Sequence, residues 1–533
     1  MMAFLERDGM DFEVSSVSNK LKKPGRVEAL VAALLFSVFA YALYAFEAHS
    51  SGKSVLLCVI AGLTLVLSWL LYRYFGPKIK EAVPRIVFPA VLVVSGLLSV
   101  FFFPAGSVPD EPYHFYHAYE YSSALVGEDS GIIRAEDIPL FTNGEFLSPS
   151  INNSGWEYTK SHVFDSKKNG SVSLSELGNI DPKALSDVSL LSELPQVRVP
   201  AAFGISVAKL LGLNHVCLFY AGRLFSFLFS ALLIAIAVAI APVGKNITMV
   251  VSLFPMTLQL LGSYSYDSAT IGFTFLTIAL ALRLIKEGGS VKPAELVGFV
   301  VLAALMAPCK AVYFGAALIA LLIPAKRFAS NRECWLFRAF VFIVPILSVL
   351  IVRASSLAGA VDSDGSDEIS FYSLTMILSD PLGSYVMLCR TIESLGTFWL
   401  INIPGDSLGW FQQDTSFPDY IPMLLLLLLA LSSVRSKDDE QCFSIPARLF
   451  FVVLFLVCSS GVVLSLWLTW TESTELLIQG VQGRYFIPLL PMFVLALRTR
   501  GVRASYRMGF PLVACTSTMS ICGYAYIAAA CAI

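Results

Sequence analysis

The amino-acid sequence predicts an all-α integral membrane protein with many spanning helices, and two observations of composition carry that prediction. Of the 533 residues, 56% are apolar and only 14% are charged, whereas soluble domains carry about 25% charged residues. The mean hydropathy of +0.72 leaves too little polar surface to cover a water-soluble globule of this size. These values exclude a soluble enzyme, a nucleic-acid-binding protein and a disordered scaffold, and the net charge of −2 indicates no polyanionic partner.

Apolar runs of about 17–25 residues are long enough to cross the hydrocarbon core of a bilayer as helices. Such runs, together with a few shorter ones, predict about thirteen spans, within a range of about 11 to 14. They lie at 27–47, 54–74, 86–104, 216–241, 246–262, 268–284, 294–307, 311–325, 336–352, 418–434, 447–470, 485–498 and 508–531. The segment 381–403 is apolar but contains Arg390 and Glu393, so it is either a re-entrant segment or an additional pair of crossings.

The distribution of basic residues predicts that the N-terminus lies in the cytoplasm and the C-terminus outside. The connections that this orientation places in the cytoplasm are 1–26, 73–85, 243–246, 283–292, 325–338, 435–448 and 498–507. They hold 24 Lys and Arg residues, whereas the short outer connections hold three. The large first outer loop, 105–199, has 14 acidic and 6 basic residues and none of the ten cysteines. The cysteines lie mostly in apolar runs, so we interpret them as packing residues rather than as a disulfide framework.

These assignments predict how the chain is organised. Residues 1–26 form a cytoplasmic tail, 27–75 form two additional spans, 85–500 form the main membrane domain and 508–531 form a C-terminal spanning helix. The main domain contains the outer loops 105–199 and 353–417. The amphipathic stretch Ala201–Leu213, which contains Lys209, is typical of a helix at the membrane interface. The short cytoplasmic connections leave no room for a nucleotide-binding domain.

The third predicted span is followed directly by a cluster of polar residues on the outer face. Two adjacent carboxylates, Asp110 and Glu111, are costly at the end of an apolar helix unless they are solvated or used. A helix that starts at 112 would place His114 and His117 on the face of Asp110. In the structural interpretation, Asp110 is a solvated helix cap. The spacing of these four residues also permits a divalent cation site, but no further ligand is supplied, so no metal or other cofactor is predicted with certainty.

The other polar candidates also lie near the outer face. They are Arg223, Asp267, Lys310, Tyr313, Gln482, Arg484 and Tyr485. Each has a structural interpretation when taken alone: Asp267 as a helix cap, Lys310 as a lysine that reaches the interface, and Arg484 as an anchor to lipid headgroups. Taken together, two carboxylates and three or four cations on one membrane face predict a site at the interface.

Several of these stretches resemble a bacterial family of predicted multipass membrane proteins of unknown function. The first is Pro109-Asp110-Glu111-x-x-His114-Phe115, and the most specific is Gly480–Pro491, with the sequence GVQGRYFIPLLP. Three more fit in order: Tyr220–Leu224, Leu253–Met256 running to Ser265–Asp267, and Ala307–Tyr313. The resemblance covers about residues 85–500. That family is similar in layout to the GT-C superfamily of membrane glycosyltransferases, although Leu194–Arg198 departs from the Pro-Pro-Leu-Tyr-like stretch expected there.

The resemblance implies a glycosyltransferase of the plasma membrane with its site on the extracytoplasmic face. It would move a sugar from a polyprenyl-phosphate donor to a glycan or lipid-linked acceptor of the cell envelope, by an inverting displacement. Asp110 would be the general base, Glu111 its partner and His114 an orienting group. The substrate-binding residues would be Arg484, Lys310, Arg223, Gln482, Tyr485, Asp267 and Tyr313, with Arg484 and Lys310 at the donor phosphate.

Two other functions fit the same residues. A transporter or flippase of a lipid-linked glycan would contact the same lipid partners, and a glycan polymerase or ligase would share the chemistry at the outer face. Transporters tend to carry ionisable residues at mid-membrane and paired repeats. The predicted spans are mostly free of charge at mid-depth and no internal repeat is visible, which favours the transferase.

Overall fold

The computed structural model of the chain describes residues 82–129, 132–141, 153–165, 170–173, 195–360, 370–409 and 416–530. The predicted tail 1–26 and the two predicted spans within 27–75 lie outside these residues. Most of this described part of the chain is helical, with little sheet.

The α-helices are α1 (Phe88–Phe102), α2 (Glu111–Val126), α3 (Asn153–His162), α4 (Pro195–Leu211), α5 (His215–Ile240), α6 (Lys245–Ser252), α7 (Pro255–Leu261), α8 (Asp267–Lys286), α9 (Pro293–Met306), α10 (Asn331–Ala360), α11 (Leu374–Ser379), α12 (Pro381–Asn402), α13 (Tyr420–Ser432), α14 (Ile445–Thr469), α15 (Leu490–Leu497) and α16 (Gly509–Ala530). A π-helical turn, Val83–Val87, precedes α1, and 3₁₀-helices occupy Ile138–Leu140, Ala307–Cys309, Ala311–Leu322, Ala325–Arg327 and Gly483–Leu489. The strands β1 (Ile132–Arg134) and β2 (Ser171–Ser173) pair antiparallel in the outer loop.

Six of the described helices are long and apolar enough to cross a membrane. They are Val83–Phe102, His215–Ile240, Asp267–Lys286, Asn331–Val352, Ile445–Thr469 and Gly509–Ile527. Four shorter apolar helical segments are Pro293–Cys309, Ala311–Leu322, Tyr420–Ser432 and Gly483–Leu497. The chain is therefore a membrane protein with several apolar helices, while the full count of about thirteen spans stays a prediction.

Two of the short segments gain length by winding as 3₁₀-helices. A 3₁₀-helix rises about 2.0 Å per residue, so the 12 residues of Ala311–Leu322 reach about 24 Å. The 7-residue 3₁₀-helix Gly483–Leu489 and the 8-residue α15 together reach about 26 Å. Both values approach the hydrocarbon thickness of about 30 Å. A tighter helix thus carries these short runs almost as far as a longer α-helix would.

The segment 246–262, predicted as one span, is divided into α6 and α7. Pro255 lacks an amide hydrogen and disfavours helical backbone at the residue before it. Phe254 accordingly adopts an extended conformation, with φ −61° and ψ 142°. Apart from Lys245, every residue of the two short helices is buried.

The segment 381–403 contains one continuous helix, α12, of 22 residues. A continuous helix is incompatible with a pair of crossings inside this segment. Neighbouring α10 continues to Ala360 and α11 covers Leu374–Ser379, so the predicted outer loop 353–417 is largely helical where it is described. Trp410 and Phe411, an aromatic pair in this loop, lie outside the described residues.

The amphipathic stretch at the end of the first outer loop is part of α4, which begins earlier than predicted, at Pro195. Its apolar residues Val199, Phe203 and Leu210 are exposed on one side, as expected for a helix that meets lipid. Lys209, in contrast, is buried: its ammonium lies 3.1 Å from Glu128 Oε2 and 3.7 Å from the centre of the Tyr119 ring. The lysine therefore anchors the outer loop to α4 rather than reaching the interface.

The connections between helices gather into two groups at opposite ends of α1. At its C-terminal end, Arg223 donates to the carbonyl oxygens of Val100 and Pro104. Beyond its N-terminal end, Gly509 lies beside Val83 and donates to Asp438, and the neighbouring Asp439 pairs with Arg498 at 2.6 Å. The 20 residues from Val83 to Phe102 separate the groups by about 30 Å.

The two groups match the sidedness that the charge pattern predicts. In the second group, Asp439 also accepts a hydrogen bond from the backbone amide of Gly244. The Lys286 ammonium donates to the carbonyl oxygen of Cys442 nearby. Connections predicted to share the cytoplasmic side thus meet at one end of the bundle. Which end faces the cytoplasm stays a prediction from charge.

Candidate functional site

A buried ion pair holds the loop between α1 and α2. Glu111 and Arg223 are both fully buried, and Arg223 Nε donates to Glu111 Oε1 at 2.7 Å. Glu111 also accepts hydrogen bonds from the backbone amides of Gly106 at 3.0 Å and Tyr264 at 3.3 Å. The remaining arginine nitrogens donate to carbonyl oxygens at the end of α1. Because both side chains are saturated by protein groups, they stabilise the loop and offer no free polar atom to a ligand.

The glycine beside Arg223 explains part of the Tyr220–Leu224 motif. A Cβ atom at Gly222 would overlap the hydroxyl of Tyr264. That hydroxyl donates to the carbonyl oxygen of Phe219 at 2.7 Å, and the Tyr264 amide reaches Glu111. Glycine at 222 therefore allows α5 to approach the chain before α8 closely enough for both to contact the buried pair.

Asp110 has a different environment from its neighbour. Its backbone is left-handed, with φ 59° and ψ 13°, and among the described residues it alone has this conformation without being a glycine. Asp tolerates this region better than most residues, yet it is strained. Asp110 stands at the N-cap position of α2, but its side chain makes no cap hydrogen bond, so the predicted cap is not formed. Its exposed carboxylate forms no hydrogen bond or ion pair within the described part of the chain.

His114 lies one turn along α2, and its amide donates to the carbonyl oxygen of Asp110 at 3.1 Å. The side chain is buried, and its Nδ1 has no hydrogen-bond partner among the described residues. Burial, followed by the positive charges of Arg198 and Arg484, lowers the pKa of His114 well below its usual value. The imidazole is therefore neutral at physiological pH.

The second part of the site is an aspartate shared by two cations. Asp267, the first residue of α8, lies 4.0 Å from Lys310 Nζ through Oδ1 and 3.9 Å from Arg484 Nε through Oδ2. The Asp267 and Arg484 side chains are each only 7% exposed, and that of Lys310 is 22% exposed. The carboxylate thus holds two cations, of which Lys310 is the more exposed. The predicted role of Asp267 as a helix cap is not observed.

Three tyrosine rings surround these cations. Lys310 Nζ lies 3.7 Å from the centre of the Tyr485 ring, 5.4 Å from that of Tyr266 and 5.9 Å from that of Tyr313. The Tyr313 hydroxyl donates to the backbone carbonyl oxygen of Tyr485 at 2.7 Å, which holds the Tyr313 ring against the chain at Tyr485. Burial, opposed by Asp267 and reinforced by Arg484, lowers the pKa of Lys310 to about 8. This lysine is therefore close to losing its proton under mildly basic conditions.

Local sequence explains how Lys310 and Arg484 reach the same place. Lys310 is extended, with φ −161° and ψ 108°, at the break between the 3₁₀-helices that follow α9. Gly483 precedes Arg484, and a Cβ there would overlap the carbonyl oxygen of Trp399 near the end of α12. Glycine in this motif lets the chain pack directly on the α12 backbone, which directs the next residue towards Asp267.

Tyr266 joins the two parts of the site. Its ring centre lies 5.2 Å from that of His114 and 5.4 Å from Lys310 Nζ, so both side chains contact one ring. Burial, followed by the negative charges of Asp267 and Asp110 among its neighbours, raises the pKa of the Tyr266 hydroxyl. The structure thus brings His114, Asp267, Lys310 and Arg484 around Tyr266, with Asp110 one turn before His114.

Arg198 and Tyr266 also belong to the site, and neither was among the residues predicted for it. Arg198 is buried in the first turn of α4, and its charge acts on His114 more strongly than that of Arg484. Gln196, in the same turn, donates to the carbonyl oxygen of Leu305 at 3.2 Å and contacts Cys309 Sγ at 3.8 Å, next to Lys310. Arg198 ends Leu194–Arg198, the stretch that departs from the pattern expected of the GT-C superfamily. That departure is the sequence signal that could have indicated it.

Two other predicted residues sit at the edge of the arrangement. Gln482 precedes the Gly483 turn, and its Oε1 is buried without a hydrogen-bond partner among the described residues. His117 lies beside Glu120, with 3.7 Å between Nδ1 and Oε2. Glu111 faces Arg223 instead, so the predicted metal ligands are divided. Within the described ranges no group of three or more His, Cys, Asp or Glu side chains could hold a metal ion.

The comparisons with known proteins give one match. No curated protein and no solved structure matches the chain. The model of a family described as "Predicted membrane protein (DUF2142)" matches residues 92–493, about three quarters of the chain and close to the range over which the resemblance was drawn. That resemblance is thereby confirmed, whereas the likeness to the GT-C superfamily stays a prediction. The chain belongs to this DUF2142 family of predicted membrane proteins.

Proposed function

We propose that the protein is a glycosyltransferase that moves a sugar from a polyprenyl-phosphate donor to a glycan or lipid-linked acceptor on the extracytoplasmic face of the plasma membrane. The observation that carries the proposal is that two cations sharing one aspartate, and the carboxylate of Asp110, which is unpaired within the described residues, all act on Tyr266. Glycosyl transfer needs a base for the acceptor hydroxyl and positive charge for the leaving phosphate. Both lie at one end of a membrane bundle, where a lipid donor and a water-soluble acceptor can meet.

The cations suit a phosphate that gains negative charge. Lys310 and Arg484 against Asp267 leave one positive charge in excess, which balances the single charge of a phosphodiester donor. Because Asp267 and Arg484 are nearly buried, water screens these charges little, and their attraction for the phosphate is strong.

Asp110 acts as the base in this proposal. Its carboxylate takes the proton of the acceptor hydroxyl while the acceptor oxygen forms a bond to the anomeric carbon of the sugar. The bond from that carbon to the phosphate oxygen breaks, and its electron pair leaves with the phosphate towards Lys310 and Arg484. Glu111 and Asp267, the other two acids that the structure describes at the site, already hold cations and are not available as nucleophiles, which favours a single inverting displacement.

In this proposal two residues, Glu111 and Arg223, take roles that differ from those expected from the sequence. Glu111 and Arg223 belong to the buried pair beneath the loop, so they position Asp110 and do not bind substrate. His114 is a neutral imidazole with an unused Nδ1, suited to hold an acceptor hydroxyl near Asp110. Tyr266, Tyr313 and Tyr485 form the wall of the phosphate pocket.

The test is transfer of a labelled sugar from polyprenyl phosphate in proteoliposomes that contain the full chain. We expect Asp110→Asn to lower the transfer rate by about 10²–10⁴-fold, the usual contribution of a general base. The matched control is Asp165→Asn, an exposed acid of the same outer loop. Transfer by Asp110→Asn at the wild-type rate would refute the assignment of the base. Binding or translocation of the donor by the wild-type protein, with no transfer to any acceptor, would instead support the flippase.

A further inference from the structure

The face of α10 carries a groove that the proposed transfer reaction does not use. The groove has a volume of about 510 Å³ and is lined by Leu321, Trp335, Arg338, Ala339 and Phe342. It lies between the first half of α10 and the end of the 3₁₀-helix Ala311–Leu322. Trp335 is 68% exposed and Phe342 40% exposed, although α10 is one of the candidate membrane spans. The groove is therefore open towards the lipid.

Arg338 is the only charged residue among those that line the groove. Its guanidinium lies 5.3 Å from the centre of the Trp335 ring and forms no hydrogen bond or ion pair within the described residues. An arginine on the lipid side of a span is costly unless it reaches the headgroups or an anion. This positive charge therefore lacks an anionic partner from the described chain.

The position of Arg338 along α10 matches the depth of lipid phosphates. It follows Asn331, the first residue of the helix, by about 10 Å, and helical side chains tilt towards the N-terminus. Long arginine side chains extend towards the interface in this way, where tryptophan is also enriched. The predicted orientation places this end on the cytoplasmic leaflet, which is rich in anionic lipids. Arg338 and Trp335 thus stand at the level of the headgroups, with apolar surface deeper in the groove.

We propose that this groove binds one anionic phospholipid, with its phosphate on Arg338 and an acyl chain along Leu321, Ala339 and Phe342. The site is separate from the Asp110 and Lys310 cluster, so the proposal stands or falls independently of glycosyl transfer. The charge selects an anionic headgroup over a zwitterionic one, and the apolar lining requires a lipid tail.

Native mass spectrometry of the full chain in detergent tests the proposal with phosphatidylglycerol and phosphatidylcholine of identical acyl chains. We expect the first to bind about five-fold more tightly, the effect of one basic residue near a lipid surface, and Arg338→Gln to remove this preference. The matched control is Arg332→Gln, which removes an exposed charge from the first turn of the same helix and should leave the preference intact. Ala339→Phe, which fills the groove and keeps the charge, should weaken binding of both lipids.

Three results would overturn the proposal. Equal binding of the two lipids by the wild-type protein would show that the groove has no preference for an anion. The same loss in Arg332→Gln as in Arg338→Gln would show that overall charge, and not this groove, selects the lipid. Displacement of phosphatidylglycerol by millimolar inorganic phosphate would show that the site takes the anion without a tail.

Discussion

Donor binding should depend on the protonation of Lys310. The pKa of this lysine in the free protein is lowered to about 8, because burial and Arg484 disfavour the ammonium more than Asp267 favours it. A bound phosphate favours the ammonium, so the pKa is higher in the complex than in the free protein. Binding is therefore strongest below pH 8 and weakens as the pH rises through that value.

The size of this effect follows from the pKa. With a pKa of about 8, the fraction of protein that carries the ammonium falls about tenfold between pH 7 and pH 9. If only that form binds, the Kd for a polyprenyl-phosphate sugar rises about tenfold over the same interval. The donor is a phosphodiester and keeps its single charge throughout. His114 also stays neutral in this range, so neither the donor nor His114 adds a titration of its own.

The assay is equilibrium binding of the labelled donor to the full chain between pH 6 and pH 9.5. Lys310→Arg keeps a positive charge and moves its titration far above this range, so its Kd should be constant to pH 9. This control also separates Lys310 from Lys209, whose pKa is lowered to about 8 by burial in the outer-loop anchor. A wild-type Kd that is the same at pH 7 and pH 9, or a Lys310→Arg curve with the wild-type midpoint, would refute the reasoning.

Two further predictions concern the loop that carries Asp110. Arg223→Gln leaves Glu111 buried without its cation. We therefore expect the free energy of unfolding, measured in detergent, to fall by about 3–5 kcal/mol. A loss below about 1 kcal/mol would contradict the structural role of the pair. At position 110, Asp110→Gly suits the left-handed backbone and should unfold no more easily than wild type while transfer is lost, whereas Asp110→Ala should lose about 1 kcal/mol of stability as well. Equal stability of the Gly and Ala variants would mean that the backbone at 110 is not strained.

Several features of the fold could be predicted because their cause lies within a short stretch of chain. The long apolar runs at 216–241 and 447–470 match α5 and α14 to within a few residues, since length and hydropathy decide whether a run can cross a bilayer. Segment 246–262 failed as one helix because a single proline outweighs its hydropathy. The helices of short runs such as 311–325 were predicted, but their 3₁₀ winding was not.

For the candidate site, too, some features could be predicted from the sequence and others could not. The residues that surround Tyr266 were nearly all selected in advance, because charged groups at one end of a membrane bundle are costly and therefore conspicuous. Their roles were harder to predict. Glu111 and Asp110 are neighbours in the chain, yet one is buried against Arg223 and the other is exposed, since the turn at 110 points them in different directions.

The sequence by itself determined that this is a membrane protein of the matched family, and it identified the polar residues that gather at one end. Hydropathy, charge and motif are properties of the chain order, so they need no coordinates. Only the tertiary structure decided which acid meets which cation: Arg223 binds Glu111, and Asp267 holds both Lys310 and Arg484. These partners are far apart in the chain, and ion pairs form only over a few ångströms. The packing of α2 on α5, and of α8 against the segments that carry Lys310 and Arg484, therefore selects them.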